Sequence, residues 1–81
     1  MNSFMNALYN AVGATVTGRK NGVDFLATIS NVRVKYGNDL CVTLSYDEES
    51  MADIGYGSDL ITGSHLFEGK NSVFENLHVY F

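Results

Sequence analysis

The spacing of apolar residues changes period once along the chain. Phe4, Leu8 and Val12 recur at every fourth position, with Met1, Met5 and Tyr9 beside them. Residues 3–12 therefore read as a short amphipathic helix with its stripe turned to the core. Asn2 or Ser3 is placed to cap its start, and Gly13 to supply the left-handed residue beyond its end. After Gly13 the period falls to two, and strands are expected to the end of the chain. Ala14 to Gly18 is the first, and Asn21-Gly22 after it is the strongest short signal for a tight hairpin. Phe25, Ala27 and Ile29 then share one face, but past Ser30-Asn31 the alternation resumes out of phase at Val32, Val34 and Tyr36. A slip inside one long strand predicts a bulge or bend.

Gly37-Asn38 makes the next turn, and Leu40, Val42, Leu44 and Tyr46 form the cleanest alternation in the sequence. A polar loop is expected from Asp47 to Ser58, a strand from Asp59 or Leu60 to Phe67 or Glu68, a turn at 69–72, and a last strand from Val73 to Phe81 with Leu77, Val79 and Phe81 on one face. The expected fold is mainly β: an N-terminal helix followed by a five-stranded, strongly bent antiparallel small barrel, with 1–81 as a single domain. The last strand carries no proline or lysine to guard it, so it is expected to pair with another copy.

Size, charge and cysteine usage sharpen this picture. A chain of 81 residues buries a modest share of its surface, and such domains commonly gain stability from disulfides, a metal or self-association. Cys41 is the only cysteine, which excludes an internal disulfide; between Leu40 and Val42 it reads as a small packed hydrophobe in a reducing, cytoplasmic setting. The first positive charge is Arg19 and the apolar opening is broken by Asn2, Asn6 and Asn10, so neither a secretory signal nor a membrane span is expected. Five basic residues face nine acidic ones, a net charge of −4. Any binding of nucleic acid must therefore come from a few placed cations rather than from global attraction.

A helix, five strands and a tight turn at Lys20-Asn21-Gly22 resemble the Sm-like family, including its bacterial Hfq branch, whose opening helix is similar to Ser3-Phe4-Met5-Asn6-Ala7-Leu8. The family's first signature is matched by Asn21-Gly22, Phe25, Ala27, Ile29 and Val32, and its second by Leu66-Phe67-Glu68-Gly69-Lys70-Asn71. The resemblance spans nearly the whole chain through short, degenerate motifs. It implies a closed homo-oligomeric ring of roughly five to seven copies, with two loops of each copy lining the pore and holding short U- or A-rich single-stranded RNA. Two departures touch that function: Arg33 falls at the loop Asp of the first signature, and Glu68 replaces the Arg of the second. Arg33 and Glu68 are then either a sign-swapped salt bridge, or a carboxylate that repels phosphate.

On this reading the RNA-binding candidates are Arg33, Lys35, Tyr36, Asn38, Gly69, Lys70 and Asn71, with Tyr36 as a stacking surface and the asparagines as hydrogen-bonding groups. The bland reading has Arg33 and Lys35 as solvated strand residues, Tyr36 as core and the asparagines as turn formers. Leu66, Leu77, Val79 and Phe81 are the candidate oligomer contacts. Two other readings stay open: a ring or barrel that serves protein interaction without RNA, and a monomeric acidic SH3-like or OB-like inhibitor.

No metal, cofactor or catalytic chemistry is expected. His65 and His78 are placed on the last two strands without the clustered ligands of a zinc site. Cys41 has no local basic neighbour to activate it. Asp47-Glu48-Glu49 lacks the spaced oxygens of a calcium loop and reads as a solvated tip.

Overall fold

Asn21 and Gly22 both take positive φ, 48° and 83°, and fold the chain back so that Lys20 pairs with Val23. That is the twist a two-residue hairpin needs. The computed structural model describes residues 3–35 and 37–81, so the expectations for Met1, Asn2 and Tyr36 lie outside the described residues. Eight elements follow one another: α1 (Ser3–Tyr9), β1 (Thr15–Lys20), β2 (Val23–Val34), β3 (Leu40–Tyr46), α2 (Glu48–Ile54), β4 (Ser58–Thr62), α3 (Gly63–Glu68) and β5 (Phe74–Tyr80). The architecture is mainly β, with an N-terminal helix and one antiparallel five-stranded sheet in the order β4-β3-β2-β1-β5.

The expected slip in β2 is present: its pairing with β3 shifts between Ile29 and Asn31. Phe25, Ala27 and Ile29 point into the core before it, while beyond it Val32 is half-buried and Val34 exposed. In β3, Leu40, Val42, Leu44 and Tyr46 are all buried and alternate with half-buried Cys41, Thr43 and Ser45. A second irregularity lies in β5, whose pairing with β1 shifts between Thr17 and Arg19 while Asn76 takes a φ of 54°. It turns both Phe74 and Leu77 inward, three residues apart; Val79 is half-buried against the same core, while Phe81 is exposed. The core is completed by Met5, Leu8 and Ala11. Helix α1 stops at Tyr9, short of the expected residue 12, and Val12 is exposed in the turn that leads to Gly13.

Two stretches expected to be loop or strand are helical. The 47–58 segment contains α2, started by Asp47, whose carboxylate accepts from Ser50 N, and stopped by Gly55 at a φ of 100°. Glu48 and Glu49 in its first turn suit the positive end of the helix dipole. Ser50 is buried and its Oγ accepts from Leu26 N at 2.8 Å, which pins α2 to the first half of β2. The strand expected to run to Glu68 ends at Thr62, whose hydroxyl accepts from His65 N and caps α3. Gly63 lets α3 sit close to α1: a Cβ there would lie 2.8 Å from Met5 Sδ and 3.3 Å from Leu8 Cδ1, and these side chains would have to shift. Helix α3 packs on α1, β3, β4 and β5.

The shortened β4 explains the one correction to the expected barrel. Strands β4 and β5 are the two edges and share no ladder, so the sheet is open rather than closed. Side chains tie β4 to β1 instead. Lys20 Nζ donates to Asp59 Oδ2 at 2.6 Å, and Tyr46 OH donates to the same oxygen at 2.6 Å. The ammonium also lies 4.5 Å from the centre of the Tyr56 ring and 5.5 Å from that of Phe74. Burial, then the Asp59 bond and charge, push the Tyr46 hydroxyl above its ordinary range.

Candidate nucleic-acid interface

Lys35 leaves the end of β2, and its backbone N–H donates to Asp39 O at 3.0 Å, closing the β2–β3 turn. Asp39 couples that turn to α3, because its Oδ1 accepts from Leu40 N at 2.8 Å and Ser64 N at 3.1 Å. Burial alone would raise the Asp39 carboxyl. The Leu40 and Ser64 hydrogen bonds and the Lys35 charge outweigh it and hold the group below its usual range. On the other side, Gly69 ends α3 at a φ of 82°, its N–H reaching His65 O and Leu66 O. The chain then turns through Lys70 and Asn71. Asn71 Oδ1 accepts from Val73 N at 3.0 Å and Phe74 N at 2.8 Å. With its oxygen so engaged, Asn71 offers only its amide N–H groups outward.

These loops meet over two adjoining cavities. One, of about 260 Å³, is lined by Lys35, Cys41, Leu60, Ile61, Thr62, His65 and Asn71, with Leu60 largely exposed. The other, of about 500 Å³, is lined by His65, Glu68, Lys70, Asn71 and Ser72. His65 and Asn71 line both, so the two form one groove with Lys35 toward one end and Lys70 toward the other. His65 is oriented by Thr62, whose Oγ1 lies 3.0 Å from His65 Nδ1. The groove thus joins the exposed Leu60 side chain, two exposed ammonium groups, an amide donor, an imidazole and the Glu68 carboxylate, a combination that offers a planar ring an apolar contact and an anionic backbone two cations.

Of the residues expected from sequence, Lys35, Lys70 and Asn71 are brought together here, and Gly69 makes the turn that places the last two. Asn38 is exposed in its turn and Arg33 is exposed on β2 opposite Cys41; neither lines the two cavities. Tyr36 lies outside the described residues. The sign-swapped Arg33–Glu68 bridge is not formed; the ion pairs among the described residues are Arg19–Asp24 and Lys20–Asp59. Among the candidate oligomer contacts, Leu66 sits on α3 inside the core rather than on a strand, and Leu77 is also buried. Val79 is half-buried and Phe81 exposed on the β5 side, where Phe81 meets Phe4 edge-on at 5.9 Å and Phe4 meets Phe67 at 5.2 Å.

The sequence already places Glu68 beside Lys70 and Asn71, but gives no sign that His65 and Cys41 join them. His65 is expected on a strand, and only the turn of α3 carries it between the two loops. His78 lies apart on β5, stacked edge-on against Tyr80 at 4.4 Å. Among the described residues no group of three or more His, Cys, Asp or Glu side chains gathers to hold a metal ion. No helix among them is long and apolar enough to cross a membrane. Compared with protein-family models, with curated proteins and with solved structures, the chain matches none.

Proposed function

We propose that this chain is a binding module rather than an enzyme: a self-associating, Sm-like protein that holds short single-stranded RNA in the groove between its β2–β3 and α3–β5 connections. One observation carries the reading. Lys35 and the Lys70-Asn71 pair, far apart in sequence, converge on adjoining cavities that share His65 and Asn71. Two of the chain's few cations are thus committed to one concave surface, which is where a net charge of −4 requires local attraction to come from. The order of elements, a helix and then five antiparallel strands with the last paired to the first, supports the family resemblance; α2, α3 and the open sheet are what this chain adds to it. Strands β4 and β5 are free edges of one sheet, and pairing the β4 of one copy with the β5 of the next would satisfy both and generate a ring.

A second reading draws on the opposite charge. Asp47, Glu49, Asp53 and Asp24 surround a cavity of about 310 Å³ beside α2, which suits a module that meets a protein partner without RNA. Light scattering behind size exclusion, with labelled oligo-U and oligo-A added to the same peak, separates the readings. The RNA reading expects a mass of roughly five to seven chains and co-elution of label that is lost at high salt. A ring that ignores RNA favours the second reading, and a monomer removes the ring.

A further inference from the structure

Glu68 is the one carboxylate on a groove otherwise rimmed by donors, and we infer that it is the residue that makes the groove select RNA over DNA, by accepting a hydrogen bond from a ribose 2′-hydroxyl. The inference rests on the RNA reading above and assigns one side chain a role within it. Glu68 is exposed at the end of α3 and shares its cavity with His65, Lys70 and Asn71. Its carboxylate has no hydrogen-bond or ion-pair partner among the described residues, so it is neither a cap nor half of a bridge.

An ionised carboxylate only accepts hydrogen bonds, and phosphate only accepts them too, so the two repel and never bond. Lys70 and the Asn71 amide meet a phosphate oxygen or a base carbonyl; Glu68 demands a donor from the ligand. In a strand of uracil nucleotides the donor carried by every residue outside the base is the ribose 2′-hydroxyl, the group by which proteins tell RNA from DNA. With RNA bound, Glu68 is satisfied while Lys70 holds the neighbouring phosphate. With DNA bound, the same carboxylate faces the backbone with nothing to accept. A carboxylate in this position therefore acts as a filter rather than as a fault in the site.

The test uses the full chain, oligo-rU and oligo-dU of equal length, and the Glu68→Gln variant, with affinities measured by fluorescence anisotropy at one salt concentration. Both probes carry the same base, so a contact to uracil, its N3–H included, cannot imitate the effect. Wild type is expected to favour oligo-rU by about tenfold, the worth of one hydrogen bond to a charged acceptor. Glu68→Gln removes the repulsion and is expected to tighten oligo-dU by about fivefold while moving oligo-rU by less than about twofold, so the preference collapses. If the variant tightens both strands alike, Glu68 merely repels and the inference is overturned. Equal wild-type affinity for the two strands overturns it as well. Failure of wild type to bind either strand removes the RNA reading itself, and this inference with it.

Discussion

Removing the Asp59 carboxylate tests whether β4 is held by the charge cluster it shares with β1 and β3. Asp59→Asn keeps the shape and an oxygen for Tyr46 OH, but strands the Lys20 ammonium beneath the Tyr56 and Phe74 rings. The two side chains are 11% and 23% exposed, which puts the pair between an exposed bridge and a buried one. An exposed bridge is worth about 0–1 kcal/mol, whereas breaking a buried one costs about 3–5 kcal/mol. At these exposures, with the cation keeping its aromatic neighbours, a loss of about 2 kcal/mol is expected. That corresponds to a fall in Tm of roughly 8–16 °C for a domain of this size. Lys20→Met preserves the packed stem and leaves Asp59 bonded to Tyr46, so it is expected to cost less, about 1 kcal/mol. Urea unfolding of both variants and of the double variant closes the cycle, and a coupling of about 1 kcal/mol or more is expected. Single-variant losses under about 0.5 kcal/mol with no coupling would show the cluster to be an ordinary surface pair.

Three further outcomes follow from named contacts. Ser50→Ala leaves the Leu26 amide without its 2.8 Å partner beneath α2 and is expected to lower stability by about 1–2 kcal/mol in urea unfolding, whereas Glu48→Ala on the same helix costs well under that. Asp39 is ionised more readily in the folded chain than its ordinary value of 3.8, so its contribution is complete above that value and is lost as pH falls through the lower folded one. Asp39→Asn should therefore flatten the loss of stability on acidification below about pH 4, and an unchanged acid profile would contradict the contacts to Leu40 and Ser64. Changing Lys35 or Lys70 to Ala should each lower the slope of log affinity against log salt for oligo-U by about 0.7, as loss of one phosphate contact requires.

The parts of the fold that were legible in sequence are those set by local chemistry. Asn21-Gly22 specified its hairpin because both residues accept positive φ, and the phase slip after Ser30 marked the β2 bulge because side chains in a strand alternate strictly. The short helices were not legible as periodic patterns. Helices α2 and α3 have seven and six residues, too few to be stable alone or to show a clear period, and they are held by the Asp47 and Thr62 caps and by packing. Both caps are visible as residue types, but their surroundings carry the pattern of a loop and of a strand. Once Thr62 is taken as a cap, the strand expected to reach Phe67 or Glu68 becomes a five-residue β4, and the sheet stays open.

The candidate site divides in the same way. Lys35, Lys70 and Asn71 were found because they lie in turns that one topology brings together. Glu68 is legible from its place in the second signature, whereas His65 enters the groove only through the turn of α3. Lys20 and Asp59, 39 positions apart, carried no sequence signal of their pairing.

The most direct test of the groove is an oligo-U titration of wild type, Lys35→Ala, Lys70→Ala and Arg19→Ala at one ionic strength. All three variants remove a single positive charge, but Arg19 lies on β1, paired to Asp24 at 2.9 Å, and outside both cavities of the groove. The account predicts that each lysine variant weakens binding by about fivefold or more while Arg19→Ala changes it by less than about twofold. Equal losses in all three would mean that RNA responds to net charge alone, and the groove between Lys35 and Lys70 would not be its site.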